Sequence, residues 1–285
     1  MLNNLERVQM LSDLLPSMQC FHGSTMVIKY GGSAIKNINL KSKIIEDILF
    51  LYYIGIKVVI VHGGGPMINY WLKQMNIEPK FFNGIRVTDK DTMELVEMVL
   101  VGKVNKDLVS LLNCSSNIAV GLSGKDANLV TASSFFSDQP DNYTGKVQAI
   151  NLEIIDLLLS SGYIPVIASV ASGLNGQTYN INADSVAGAI AESLNAEKLI
   201  LLTDTPGIML NINDSSTLIK NLNIKQLEDL KNQNIILGGM IPKVDCCVKA
   251  LKKNVGAAHI INGSIKHALL LEILTSDGIG SKLVA

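Results

Sequence analysis

The sequence predicts an α/β protein built on a mainly parallel sheet, and three observations carry that expectation. Short apolar, β-branched runs recur at residues 26–30, 57–61, 118–122, 164–168, 199–203 and 259–261. Longer stretches with helical periodicity separate them, such as 40–53, 92–112 and 183–194. Strands alternating with helices read as βαβ units. Two of the runs also end directly in glycines, at 31–32 and 63–65, at the carboxyl ends of strands where open α/β sheets hold their ligands.

The chain begins with Leu5, Val8, Leu11, Leu14, Leu15 and Met18 at three- and four-residue spacings. This describes an amphipathic helix over 5–18, which Pro16 is expected to end or kink. It precedes the first strand, so its apolar face requires a partner elsewhere.

The first strand closes as Val27-Ile28-Lys29-Tyr30-Gly31-Gly32-Ser33. A lysine at the end of a buried run is costly unless it meets an anion or reaches solvent. The second strand closes as Val58-Val-Ile-Val-His62-Gly63-Gly64-Gly65-Pro66. Met67, Ile68, Trp71, Leu72 and Met75 then continue in helical spacing, so the glycines stand at a helix N-terminus, where free N–H groups and the macrodipole favour anions. A tight βα turn without a ligand uses the same residues.

The block Asn83-Gly84-Ile85-Arg86-Val87-Thr88 puts an arginine after a turn. Its guanidinium suits a carboxylate held by two hydrogen bonds, and an exposed arginine is the plainer alternative. Segments 129–150 and 172–181 are rich in Ser, Asp, Asn, Gly, Tyr and Thr and are expected to form hairpins or lids. Asn180-Ile-Asn182-Ala-Asp184 opens the helix over 183–194, so Asp184 falls in its first turn, where a carboxylate also serves as an ordinary cap.

A further strand breaks into Thr203-Asp204-Thr205-Pro206-Gly207, and Gly238-Gly239-Met240-Ile241-Pro242-Lys243 again couples glycines to a lysine. Two lysines and one carboxylate are the parts that phosphoryl transfer needs. Placed cations and backbone N–H groups stabilise the charge on the moving oxygens, and no protein nucleophile is required.

Composition narrows the alternatives. With 285 residues, 48% of them hydrophobic, the chain can bury a substantial core. Its 24 basic and 25 acidic residues leave a net charge of −1, which offers no basis for nucleic-acid or membrane-surface binding. No apolar run approaches membrane-spanning length, and no basic-then-apolar leader is visible, so a soluble protein is expected. Cys20, Cys114, Cys246 and Cys247 form no C-x-x-C pair and the four histidines are scattered, so neither a zinc site nor a disulfide framework is indicated. A G-x-x-x-x-G-K-[ST] loop, a G-x-S-x-G elbow and, at the glycine-rich strand ends, a dinucleotide fingerprint are all missing.

Taken in order, Lys29-Tyr-Gly-Gly, His62-Gly-Gly-Gly-Pro, Asn83-Gly-Ile-Arg-Val-Thr, Asn180-Ile-Asn-Ala-Asp, Leu202-Thr-Asp and Met240-Ile-Pro-Lys closely resemble the amino-acid kinase family. The resemblance covers essentially the whole chain. Its Asn-Gly-Ile-Arg-Val-Thr and Asn-Ile-Asn-Ala-Asp blocks are the discriminating ones, because they resemble the branch that acts on N-acetyl-L-glutamate. The fold so implied is a three-layer αβα sandwich with a mainly parallel central sheet. The organisation implied is an N-terminal oligomerisation helix (1–24) and a kinase domain (25–285), divided into a substrate and dimerisation lobe (25–195) and an ATP and arginine lobe (196–285).

The activity implied is ATP-dependent phosphorylation of the side-chain carboxylate of N-acetyl-L-glutamate, the second step of arginine synthesis through acetylated intermediates. By position, Lys29 and Lys243 correspond to the lysines that stabilise the transferring group and Asp184 to the carboxylate that orients them. Gly31 and Gly32 would face the nucleotide, Gly64 and Gly65 the substrate and phosphate, Arg86 the substrate α-carboxylate, and Asn180, with Asn182 close by, the acetylated amino group. Asp204, Thr205, Pro206, Gly207, Ile208 and Met209, with Ile235, Ile236 and Leu237, match nucleotide-binding segments. Mg2+ would arrive with ATP, without an assigned protein ligand.

The N-terminal helix and the C-terminal end resemble the arginine-inhibited, hexameric members, trimers of dimers. Lys198, His267, Glu272, Gly278 and Gly280 are the implied arginine site. The family pattern L-P-Y-I-Q-R-F appears here as Leu15-Pro-Ser17-Met-Gln-Cys20-Phe, without its tyrosine and arginine. Cyanobacterial and plastid members also bind the signalling protein PII, so a cytoplasmic or plastid-stromal location and a PII partner complete the expectations.

Overall fold

The structure is a computed structural model that describes residues 3–32, 38–82, 84–114 and 116–285. Ser33 and Asn83 of the motifs above lie outside the described residues. The chain opens with α1 (Asn4–Phe21), β1 (Thr25–Tyr30), α2 (Ile38–Tyr53), β2 (Lys57–His62) and α3 (Gly65–Gln74). A hairpin of β3 (Lys80–Phe82) and β4 (Ile85–Val87) leads to α4 (Lys90–Glu97), α5 (Asn105–Leu112), β5 (Ala119–Ser123), β6 (Val130–Ser134), β7 (Thr144–Ile150) and α6 (Glu153–Ser160). Then come β8 (Ile164–Ala168), β9 (Val170–Ser172), β10 (Thr178–Ile181), α7 (Ala183–Ser193) and β11 (Lys198–Thr203). The chain closes with β12 (Asn221–Asn223), α8 (Ile224–Asn232), α9 (Met240–Leu251), β13 (Ala257–Asn262), α10 (Ala268–Leu274) and β14 (Ser281–Val284).

Among the described residues the central sheet has eight strands in the order β12-β14-β13-β11-β1-β2-β8-β5. Its neighbours are parallel except at β13–β14. The six predicted apolar runs are six contiguous strands of this sheet, β13-β11-β1-β2-β8-β5, each within two residues of the expected start. The α/β class with a mainly parallel sheet is therefore as the sequence implied.

Successive residues of a strand face opposite sides of the sheet, and that alternation divides the core. Val27, Val59, Val61, Leu199 and Leu201 pack on one face against α7 and α9 through Val186, Ile190, Val244 and Cys247. Met26, Ile28, Val58, Ile60, Ile200 and Leu202 pack on the other against α2, α5 and α10 through Ile44, Ile48, Leu108 and Leu269. A third, smaller core joins α3 and α4 through Ile68, Leu72, Met93 and Val96.

Three features go beyond the sequence reading. The first helix is not ended by Pro16 but runs on to Phe21, started by a capping box between Asn3 and Glu6. None of its described residues is buried, so a carbonyl deprived of its partner by the proline faces water instead of the core. The expected continuous helix over 92–112 is interrupted between α4 and α5 by a π-helical stretch, Met98–Val104. Such stretches shift the face that follows. The predicted hairpins close on one another, so that β10, β7, β6 and β9 form a small barrel.

Candidate active site

Strand alternation decides what Lys29 meets. Lys29 shares the face of Val27, the one covered by α7, and Asp184 is the second residue of that helix. Lys29 Nζ lies 3.0 Å from Asp184 Oδ1, as an ion pair not aligned as a hydrogen bond, and Lys243 Nζ donates to Asp184 Oδ2 at 2.6 Å. Two lysines from opposite ends of the chain thus share one buried carboxylate. Burial alone would raise the pKa of Asp184, but Lys29 and Lys243 outweigh it and hold the carboxyl at about 2. The helix cap belongs to Asn182, whose side-chain oxygen accepts from the N–H groups of Asp184 and Ser185. This frees Asp184 from capping and commits the side chain of Asn182 to it.

These groups open into a cleft of about 210 Å³ lined by Lys29, Gly31, Gly32, Gly64, Gly65, Arg86, Asn180, Asn182 and Asp184. All eight of the catalytic and substrate candidates except Lys243 line it directly, and Lys243 reaches it through Asp184. Arg86 is buried, with its Nη2 donating to Asn69 at 2.5 Å and its guanidinium 4.8 Å from the centre of the Phe81 ring. Its Nη1 has no hydrogen-bond partner among the described residues, a polarised donor held in the wall of an anion-sized cleft. Burial lowers its pKa from the usual value.

The arginine is held in place by its own backbone. The Arg86 carbonyl accepts from the hydroxyls of Thr88 and Thr144, and Thr88 Oγ1 accepts from the Asn180 amide at 3.0 Å. The two discriminating motifs are therefore one hydrogen-bonded unit. Gly32, with φ +72°, packs its backbone where any Cβ would collide with the Asp204 carboxylate.

A second cleft of about 290 Å³ follows β11. Thr205, Gly207, Ile208, Met209, Ile235, Ile236 and Leu237 line it, together with Leu210, Asn211, Ile212, Asn234 and Met240. Asp204 and Pro206 fall outside this lining, Asp204 lying instead against Gly32. The Thr205 hydroxyl is buried without a partner among the described residues, a polar atom in a largely apolar slot. The exposed apolar side chains of Leu210, Ile212 and Leu237 at its mouth suit a flat, partly apolar ligand.

A model of the amino acid kinase family matches residues 24–262. The chain belongs to the amino acid kinase family. An acetylglutamate kinase of Gracilaria tenuistipitata var. liui is 82% identical over 284 residues, covering the whole of both chains. An acetylglutamate kinase of Thermosynechococcus vestitus is 55% identical over the whole of this chain and 96% of its own. Among solved structures, the N-acetylglutamate synthase of Neisseria gonorrhoeae, solved with coenzyme A and N-acetyl-glutamate, superposes with a TM-score of 0.86 at 24% identity. It matches 98% of this chain, which spans 63% of that longer protein, and the likeness is one of fold. This amino acid kinase is accordingly an enzyme that uses ATP.

The kinase has a third cleft, of about 160 Å³, at the far end of β11. Lys198, Glu272, Gly278 and Gly280 line it, with Phe21, Lys220, His259, Asp277 and Lys282. His259, which sequence reading missed, bridges the pair: its Nε2 is 3.3 Å from Lys198 Nζ and its Nδ1 2.7 Å from Glu272. The Glu272 carboxylate also accepts the N–H groups of Ile279 and Gly280. His267 is not part of this lining. Its Nδ1 lies 2.7 Å from Asp47, which ties the start of α10 to α2. A histidine inside an apolar run gives no local sign of either role, so these two could not be told apart by pattern.

Proposed function

We propose that the protein transfers the γ-phosphoryl group of ATP to the side-chain carboxylate of N-acetyl-L-glutamate, giving the acyl phosphate and ADP. The observation that carries this reading is the Lys29–Asp184–Lys243 cluster in one cleft with Arg86, whose Nη1 has no partner among the described residues. Two ammonium groups suit the developing charge on the phosphoryl oxygens, with Asp184 orienting them. Arg86 holds the α-carboxylate of the substrate, Asn180 faces its acetylated nitrogen, and the N–H groups of Gly64 and Gly65 meet the reacting oxygens.

ATP occupies the cleft after β11, with Gly31 and Gly32 toward its phosphates. In this proposal residues 25–195 hold the substrate and 196–285 the nucleotide. Mg2+ comes with the nucleotide and serves to neutralise phosphate charge. Among the described residues no group of three or more His, Cys, Asp or Glu is placed to hold a metal, and both oxygens of Asp184 already face lysines.

With ATP, Mg2+ and N-acetyl-L-glutamate, the purified protein is expected to produce an acyl phosphate that hydroxylamine traps as a hydroxamate. Product from aspartate, glutamate or carbamate instead would move the substrate assignment within the family.

The proposal extends to regulation. Arginine binds the third cleft, through Lys198, Glu272, Gly278 and Gly280, and the chain forms a hexamer through α1. Leu5, Val8, Leu11 and Leu15 of that helix are 77%, 60%, 63% and 50% exposed, an apolar stripe without cover in one chain. Phe21 at its end lies 4.9 Å from Lys198 Nζ, which joins the helix to the arginine cleft. Removing residues 1–20 is expected to give active dimers that lose cooperative arginine inhibition. A truncated chain that light scattering still reports as hexameric would refute the role of α1. A plastid or cytoplasmic location is part of this proposal, supported by the algal and cyanobacterial relatives, and a PII partner is proposed with it.

A further inference from the structure

Behind the glycine loop lies a buried polar pair that the reaction above leaves unused. His62, the last residue of β2, is wholly buried, and both ring nitrogens meet polar atoms. Its Nδ1 is 3.0 Å from the Gly63 carbonyl oxygen, and its Nε2 is 3.1 Å from Asn105 Nδ2. Asn105 is also wholly buried and begins α5 directly after the π-helical stretch. Its Nδ2 further approaches the carbonyl oxygens of Val166 at 2.8 Å and Leu122 at 3.2 Å.

These neighbours fix the tautomer. The Leu122 and Val166 carbonyls only accept, so Asn105 turns its NH2 edge to them and to the ring, its two hydrogens shared among the three acceptors. An amide nitrogen does not accept, so Nε2 carries no proton; the Gly63 carbonyl only accepts, so Nδ1 carries one. Burial agrees, pushing the imidazole down to about 4, so the ring is neutral at physiological pH.

The consequence lies in the next peptide. A trans peptide is planar, with its C=O and the following N–H pointing in opposite directions. A peptide between two glycines is also the least restrained in a chain. With its oxygen held by His62, the Gly63–Gly64 peptide directs the Gly64 N–H away from the ring, and both glycines line the cleft.

We propose that His62, itself held by Asn105, is a positioning residue that sets the Gly63–Gly64 peptide so that the Gly64 N–H donates to the group being transferred. This deepens the phosphoryl-transfer reading and rests on it. Asn105 acts one step further back, keeping Nε2 as an acceptor. Asn105 follows the π-helical stretch directly.

Two measurements test this. A long-range 1H–15N spectrum of the labelled wild-type protein is expected to show the His62 ring protonated at Nδ1 and bare at Nε2. A proton on Nε2 overturns the proposal. In kinetics, His62→Phe removes the donor, whereas the amide of His62→Asn can place a nitrogen where Nδ1 stood.

His62→Phe is expected to lower kcat by about 10- to 100-fold, part of what losing a whole oxyanion donor costs, with the KM for ATP within about twofold. His62→Asn recovers most of kcat at unchanged pH-profile shape, which a merely structural role would not produce. A folded His62→Phe enzyme with wild-type kcat refutes the role. If the wild type itself yields no hydroxamate from N-acetyl-L-glutamate, the substrate reading fails while the spectrum still decides the tautomer.

Discussion

Asp184→Asn is expected to lower turnover by roughly 10²- to 10³-fold while leaving the KM for ATP little changed, because the loss falls on groups that act as charge develops. The carboxylate counterbalances Lys29 and Lys243, whose side chains are only 11% and 17% exposed. An uncharged amide leaves two largely desolvated ammonium groups without an opposite charge. Breaking a buried pair in this way costs about 3 kcal/mol of folding stability. Steady-state kinetics and urea unfolding measure the two effects. A variant with wild-type kcat would remove Asp184 from the mechanism.

The same group sets an acid limit on stability. The folded-state pKa of about 2 lies below the ordinary 3.8. The folded state therefore binds the Asp184 proton less readily than the unfolded chain does. This contribution is fully present above the unfolded value and is lost as pH falls from about 4 through about 2. Unfolding curves compared across that window should converge for the wild type and Asp184→Asn.

Arg86→Met should separate binding from stability. Truncating a buried charged donor that meets a substrate carboxylate costs about 2–5 kcal/mol of binding, so the KM for N-acetyl-L-glutamate is expected to rise about 10²-fold or more. The unliganded protein, by contrast, carries a guanidinium with one buried nitrogen unpaired among the described residues, where Asn69 and the Phe81 ring compensate it. Replacing it with an apolar side chain of similar length is expected to leave stability unchanged or raise it by up to about 1 kcal/mol. Thermal shifts complete the test: N-acetyl-L-glutamate raises the Tm of the wild type and not that of the variant. Loss of stability without loss of substrate affinity would make Arg86 a structural residue.

Much of this was legible before any tertiary contact was known. Lys29 stands at the end of an apolar run, Asp184 in the first turn of a helix and Lys243 just after a glycine pair, and each position follows from local periodicity. Local periodicity did not distinguish Asp184 from an ordinary cap. The structure does, because Asn182 takes the capping bonds and Asp184 turns to the lysines. Local periodicity also left open whether Pro16 ends or kinks the first helix, which runs on to Phe21.

By itself, the sequence determined the α/β class, the order of the strands along the chain and the chemistry carried to their carboxyl ends. Each of these depends on near neighbours: apolar period, glycine at a turn, a charge at the edge of a buried run. Only the tertiary structure decided which of those charges meet. Lys243 and Asp184 are 59 residues apart, His62 and Asn105 are 43 apart, and Asn180 and Thr88 are 92 apart. Their contacts are set by sheet order and by which face of a strand α7 covers. A pattern of side chains within one segment encodes which face is apolar but not what another segment brings to it.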